Sequence, residues 1–338
     1  MKAPRFSILV PTKNRSEIVG GAIESALAQS FGDFEIVVSD NDDSETATRE
    51  VIQRYADPRI RYFRTSGKLP MHENWENALA QALGDHVVIL EDKMRMVPNA
   101  LAILDGCLRR YGDVVLSFDL RFTAEDRVKP PDPGCSVQKW STEDAVAELA
   151  RFSQKFFHIH PKGLDSCAPR ALLLAARKKS PTGMIFSYIC PDYSSGFLLL
   201  SEIDHFYFID AQLLYVPNNW MGDVRYSNGQ ATYKKAALIR RFLDELPLAA
   251  GEIESFVPVK CKWMWLNMVL YDFFTKFRHD KVRTEVNWIH YHSYCLIIVL
   301  LGKRIGADMH EEVGGIRSSL AGRSVSFRAQ VYFGFMIR

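Results

Sequence analysis

Five short apolar runs, separated by stretches of helical periodicity, fill the first 120 residues of this 338-residue chain and restrict its fold more than any other feature. The runs are residues 6–10 (FSILV), 34–39 (FEIVVS), 60–63 (IRYF), 86–90 (HVVIL) and 114–118 (VVLSF). Each is rich in Val, Ile, Leu or Phe, and near-continuous apolarity marks strands buried on both faces. Between them Ile18, Val19, Ala22, Ile23, Ala26 and Leu27 fall at helical spacing, as do Val51, Ile52 and Tyr55, and then Trp75, Ala78, Leu79, Ala82 and Leu83. Strands alternating with helices predict an α/β fold with a doubly wound, mainly parallel sheet flanked by helices.

The pattern breaks at residues 129–134 (KPPDPG), where three prolines mark a loop or border. Beyond it the sequence predicts a helix over 142–157 and a pair of strand-like runs at 205–209 and 213–216. From about residue 231 the chain reads as helical and aromatic-rich. Three segments are therefore expected: 1–120, 121–230 and a helical C-terminal region, 231–338. Six widely spaced cysteines suit free thiols in a reducing compartment better than zinc or disulfide staples. The formal charge of +2 lacks the basic excess of a dedicated nucleic-acid binder. No signal peptide or spanning segment is apparent, the longest late apolar run being residues 294–301 (YCLIIVLL). Residues 221–338 carry 17 Lys/Arg against 11 Asp/Glu, while the first 220 carry 25 against 29. With residues 263–278 (WMWLNMVLYDFFTKFR), that balance offers two readings: core helices, or a surface that touches anionic lipid.

Ligands of a doubly wound sheet bind beyond the carboxyl ends of its strands. The first strand leads into Pro11-Thr12-Lys13-Asn14-Arg15, the second into Asp40-Asn41-Asp42-Asp43, and the 86–90 strand into Glu91-Asp92-Lys93. Neither glycine-rich phosphate-loop pattern occurs, which removes the main support for hydride transfer and P-loop chemistry. Acids at strand ends can accept hydrogen bonds from a base or a ribose, or face a metal on phosphates.

These residues resemble an inverting, family 2 glycosyltransferase with the GT-A fold, of the kind that builds bacterial surface glycans. The matching stretches are FSILVPTKNR, AIESALAQSFGDFEIVVSDN, MHENWENAL at 71–79, and GDHVVILEDKMRMVP at 84–98. In the last of these Gly84 opens a strand, an acidic motif closes it and Pro98 follows. The resemblance implies a nucleotide-sugar-binding half (1–120), an acceptor half that completes the GT-A domain (121–230), and a C-terminal extension for membrane or oligomer contact. It implies that Pro11, Thr12, Asn14 and Arg15 line the base pocket and that Asp40 meets the base. Lys68 and Asn74 would approach the nucleotide and its diphosphate, with Glu91, Asp92 and Lys93 at the sugar and phosphates. Bland alternatives stand beside these: Asp40 as a helix cap, Lys68 as a solvated lysine, Asn74 as the cap of the Trp75 helix.

The sequence departs from the family at its D-x-D motif, where the third position is Lys93. A protonated lysine cannot ligate Mn or Mg and repels a divalent cation. Three readings follow. Lys93 supplies the charge a metal would give the leaving group; Asp92 and Glu91 still hold a metal; or the site has lost activity. A nucleoside monophosphate sugar is a further donor class that needs less charge neutralisation.

Inverting transfer needs a carboxylate to take the acceptor's proton. The family places it at the start of a helix in the acceptor half, and Asp192, just before the run 196–200, fits. Capping is its bland reading, and Glu202 and Asp204 are the fallback bases. Trp220 is a candidate acceptor platform. The expected partners are thus a nucleotide-sugar donor, a glycan or lipid-linked saccharide acceptor and an anionic membrane surface, with the protein cytoplasmic or peripheral on the inner membrane face. The rival function is a degenerate nucleotide-sugar-binding scaffold in a glycan-assembly complex. A sugar nucleotidyltransferase would need the glycine-rich loop that PTKNR lacks.

Overall fold

The computed structural model describes residues 2–44, 46–123, 127–129, 131–132, 134–186, 189–217, 243–244 and 246–337, with no side chains at 122 and 123. These divide into two compact units, Met1–Thr142 with Ile159–Asn219, and Glu143–His158 with Trp220–Arg338.

The first unit is built on a mixed sheet of nine strands among the described residues, ordered β3-β2-β1-β4-β8-β6-β9-β5, with β7 also on β9. The strands are β1 (Phe6–Thr12), β2 (Phe34–Asp40), β3 (Ile60–Arg64), β4 (His86–Ile89), β5 (Arg95–Met96), β6 (Leu116–Thr123), β7 (Val137–Ser141), β8 (Ser166–Pro169) and β9 (His205–Pro217). β3, β2, β1 and β4 form a parallel block. β8 runs antiparallel between β4 and β6, and β9 returns parallel to β6, so the sheet is mainly parallel as its apolar runs predict. Every residue of β1, β2 and β4 is buried, while β3 at the edge is only half-buried.

Among the described residues six helices serve this unit: α1 (Ser16–Leu27), α2 (Ala47–Gln53), α3 (Met71–Gln81), α4 (Ala100–Tyr111) and, after β8, α7 (Arg170–Lys179) and α8 (Pro191–Glu202). Among the described residues the second unit takes most of α5 (Thr142–Ala150) and α6 (Gln154–Ile159), and then α9 (Glu252–Ser255), α10 (Trp265–Lys276), α11 (Trp288–Arg304), α12 (His310–Ala321) and α13 (Val325–Met336).

Two features of this architecture position the site. The chain leaves β1 for β2 and β3 on one side, then crosses to β4 on the other. The switch point where a doubly wound sheet opens a crevice therefore lies between the carboxyl ends of β1 and β4. The β1–β2 register also sets Thr12 beside Asp40. Gly84 makes the approach of β4 possible: a Cβ there would lie 2.6 Å from the Phe6 carbonyl carbon and the Ser7 nitrogen, so only glycine fits.

Three expectations change. The helix expected over 142–157 is two, α5 and α6, because Phe152 takes a left-handed φ of 52° that interrupts it. That strained residue is fully buried in the core of the second unit, which holds it there. The runs 205–209 and 213–216 are one strand, β9. The Asp210–Ala211–Gln212 stretch between them has no glycine or proline, and the irregularity appears instead as register shifts against β6 around Asp119.

The third change concerns residues 263–278. Trp263, Met264, Leu266 and Leu270 lie in a core cluster with Tyr291, Cys295, Ile316 and Val331. Buried Asn267 accepts from the Tyr291 hydroxyl (2.6 Å) and donates to the Val259 and Cys261 carbonyls (3.0 Å each), which satisfies the polar groups of that core. The segment is interior, so it is no lipid-facing surface. No described helix is long and apolar enough to cross a membrane.

Candidate active site

At the ends of β1 and β2 the acids are held by neighbouring donors. Asp40, fully buried, accepts from the Asp42 amide (2.9 Å), the Tyr62 hydroxyl and Arg64 Nη1 (3.1 Å). Tyr62 and Arg64 are two apart on β3, so alternation turns both to one face. Asp42 accepts from the Asn14 amide and from Thr48 Oγ1 (2.5 Å), and burial raises its pKa despite those bonds. Asn14 takes a φ of 54°; its side chain and the Asp43 loop bond reciprocally, Nδ2 to Asp43 Oδ2 (2.9 Å) and the Asp43 amide to Asn14 Oδ1 (2.7 Å).

Asn74 does not cap the Trp75 helix. It sits in the first turn of α3 and straps the strand ends, accepting from Ser39 Oγ (2.6 Å) and donating to the Thr12 and Ser39 carbonyls (3.2 and 3.3 Å). Lys68 is exposed and pairs with Asp43 at 2.9 Å. Thr12 Oγ1 is buried and has no hydrogen-bond partner among the described residues, which leaves it for a ligand at this strand end.

At the switch point the acids face cations. Arg15 Nη1 lies 2.8 Å from Asp92 Oδ1, and Lys93 Nζ lies 2.7 Å from Glu91 Oε2. Burial raises the Asp92 pKa, opposed first by Arg15. This donor set does not suit a divalent cation. An ion bound through Glu91 and Asp92 would sit against an ammonium and a guanidinium that already occupy those oxygens.

Asp192 lies in the first turn of α8, one residue inside the helix rather than ahead of it, with Pro191 at its start. Burial raises its pKa. Lys162 and the amides of Tyr193 and Asp192 draw it down, and the Glu91 charge pushes it up, so the base candidate shares a field with the switch-point triad. The helix N-terminus favours a carboxylate here, but the N-cap position belongs to Cys190, so Asp192 is not the cap of α8. Glu202, at the far end of α8, pairs with Lys179 at 2.5 Å. Pro11 and Thr12 end β1 with Asn14 and Arg15 just after it, Glu91, Asp92 and Lys93 follow β4, and Asp192 stands in the first turn of α8; Trp220 lies outside the described residues.

Sequence reasoning missed four residues. Tyr62 and Arg64 were findable, since an alternating pair at the end of a strand beside Asp40 follows from strand order. Lys162 and Asp165 carried no signal, because only the packing of the loop before β8 brings them to α8.

Residues 7–162, just under half of the chain, match the family described as Glycosyl transferase family 2. Two curated relatives are similar. One is the GalNAc(5)-diNAcBac-PP-undecaprenol beta-1,3-glucosyltransferase of Campylobacter jejuni, 32% identical over 169 residues, which are 48% of this chain and 53% of that protein. The other is the putative colanic acid biosynthesis glycosyl transferase WcaA of Escherichia coli, 30% identical over 104 residues, 30% of this chain and 36% of that protein. The chain thus spans about half or less of the relatives it matches. Among solved structures, residues 1–349 of S. aureus TarS in complex with UDP-GlcNAc share the fold, with TM-score 0.51 and 15% identity over 98% of this chain and 89% of that one.

Proposed function

We propose that the protein is an inverting glycosyltransferase that moves a sugar from a nucleotide-sugar donor to a hydroxyl of a glycan or lipid-linked glycan in bacterial envelope polysaccharide synthesis. The observation that carries this is the placing of Asp192 beside the end of β4, since one Cβ on Gly163 would touch both the Asp192 Cα (3.5 Å) and Cδ1 of Ile89 (3.4 Å), two residues before the Glu91-Asp92-Lys93 triad begins. The base moiety lies along Pro11 to Arg15, and Asp40 holds Arg64 and Tyr62 at its edge. Asn74 fixes the two strand ends, Lys68 attends the phosphates from the rim, and Trp220 attends the acceptor.

In the transfer step the acceptor hydroxyl gives its proton to the Asp192 carboxylate while its oxygen bonds to the anomeric carbon. The bond from that carbon to the diphosphate breaks on the opposite face, and its electron pair leaves with the nucleotide. Lys93 and Arg15 place positive charge where the leaving group gathers negative charge. Asp92 and Glu91 hold those cations in place rather than ligating a metal.

The test is a panel of nucleotide sugars assayed for nucleoside diphosphate release and for transfer, with and without EDTA. Turnover that survives chelation is expected. Turnover that stops with EDTA and returns with manganese would sink the Lys93 role. Nucleotide binding without any turnover would favour the scaffold.

We infer as well that the protein works at the inner membrane face and meets it through the outer stripe of α13. Val325, Tyr332, Phe333 and Met336 are exposed there at helical spacing, with Ile337 just beyond. The last 26 residues hold four arginines and no acid, which complements anionic lipid. Flotation with phosphatidylglycerol vesicles, weakening as salt rises and lost in Phe333→Asp with Met336→Asp, is expected. No flotation at low salt rejects the surface, and a dimer broken by the same substitutions would assign the stripe to a second copy.

A further inference from the structure

Of the MHENWENAL stretch only Asn74 enters the site above, yet Glu76, two positions on, is a buried acid in the same helix. A helix turns about 100° per residue, so Asn74 and Glu76 leave α3 on nearly opposite sides. Asn74 straps the ends of β1 and β2, and Glu76 reaches the connection between α7 and α8. Its Oε1 accepts from the consecutive amides of Ile185 and Phe186 (2.9 Å for Phe186), which belong to no helix or strand. Its Oε2 lies 3.2 Å from Arg177 Nε, which also donates to the Gly183 carbonyl (3.1 Å). Trp75 adds an edge-on contact with Phe186, their ring centroids 5.3 Å apart. Trp75, Glu76, Ile185 and Phe186 are all buried. Two N–H groups buried outside regular structure must find an acceptor, and one carboxylate oxygen gives both a charge-assisted bond.

We propose that Glu76 is a positioning residue for transfer: by holding the Ile185 and Phe186 amides it fixes how the chain enters α8, and so where Asp192 stands. For catalysis this rests on the reading of Asp192 as the base; the hold on α8 does not. Soon after Phe186 come buried Ile189, Cys190 at the N-cap and Pro191 at the helix start. The Ser194 amide closes the first turn on the Cys190 carbonyl (2.8 Å). Asp192 therefore stands in a turn that is held twice. The Gly163 loop lies against it, and Gly196 permits that approach, since a Cβ there would come within 2.8 Å of the Pro161 carbonyl oxygen. The Glu76 anchor holds the chain that leads into it. A base must stand within hydrogen-bond reach of the proton it takes, so a shift of about 1 Å in α8 lowers the rate without touching the nucleotide. In this reading α3 serves both ends of the reaction, the donor through Asn74 and the acceptor through Glu76.

Two variants separate the amide bonds from the ion pair. Glu76→Gln keeps an oxygen for the amides and loses the charge that Arg177 meets, while Glu76→Met keeps the bulk and loses the acceptor. The first arm is hydrogen exchange read by mass spectrometry. Glu76→Met should raise uptake across residues 190–195, Glu76→Gln should stay near the wild type, and β1 and β2 should not change. Unchanged uptake across 190–195 in Glu76→Met overturns the proposal. The second arm follows UDP release from UDP-GlcNAc, beside UDP affinity by calorimetry. Glu76→Met should turn over about ten- to a hundredfold more slowly with UDP affinity unchanged, and Glu76→Gln should recover most of the rate. A Glu76→Gln variant as slow as Glu76→Met would place the effect on the Arg177 pair and overturn the role given to the amides. Added to Asp192→Asn, Glu76→Met should lower the rate little further, because a misplaced base and a missing base are one defect. Equal losses on both backgrounds would mark general destabilisation and overturn the positioning role. Where Glu76→Met does not fold, Glu76→Asp, which withdraws the carboxylate by one methylene, should move both arms in the same directions. Raised exchange in Glu76→Met with normal turnover in Asp192→Asn would retain the anchor and count against Asp192 as the base.

Discussion

The two ends of the crevice treat their acids differently. At the end of β2, Asp40 and Asp42 are satisfied largely by a tyrosine, a threonine and backbone amides, with Arg64 the one cation paired with Asp40 among the described residues. At the switch point each acid meets a cation: Asp92 meets Arg15, Glu91 meets Lys93, and Asp165 meets Lys162. The first arrangement fixes the backbone of the strand ends. The second stores charge that a ligand or a reacting group can draw on, because an ion pair can exchange partners where a hydrogen-bonded strand end cannot move.

This contrast can be broken from either side. The largest effect belongs to the switch point: Asp192→Asn should lower turnover by about 10²–10⁴ with donor affinity nearly intact, since it touches only the acceptor's proton. Because burial holds its pKa up, wild-type activity should fall as pH drops through a value above the ordinary carboxylate range. Near-normal turnover in that variant would pass the role to another acid. Asp40→Ala should act through the scaffold, costing about 1.5–3 kcal/mol of stability as Arg64 and Tyr62 lose their acceptor, with weakened nucleotide binding as the consequence. Weak binding at an unchanged Tm would place Asp40 on the ligand instead. Gly84→Ala should destabilise by about 1–3 kcal/mol through overpacking against β1. A melt that matches the wild type would show that β4 can shift. The smallest effect is expected for Lys68→Ala, whose ion pair is 75% exposed on the lysine side, so Tm should not change. If its donor affinity also stays put, Lys68 is a solvated lysine.

The parallel block was legible in the chain because strands buried on both faces leave uninterrupted apolar runs, and FSILV, FEIVVS and HVVIL are such runs. Strand ends follow from strands, so Thr12, Asp40 and the Glu91-Asp92-Lys93 triad could be placed before any coordinates. The aromatic run 263–278 was ambiguous for a physical reason: lipid and a protein core ask for the same side chains. Burial around Tyr291 decided it.

The sequence by itself therefore determined the parallel sheet and the residues at its strand ends, which depend on local periodicity, and its resemblance to a family marked Lys93 as the lysine where a metal ligand is expected. Only the tertiary structure decided which cation meets which acid. Arg15 with Asp92 spans 77 residues, and the loop that carries Lys162 lies on α8 only because Gly163 and Gly196 have no Cβ. Pairings of that kind follow from close approach of backbone to backbone, which no spacing along the chain encodes.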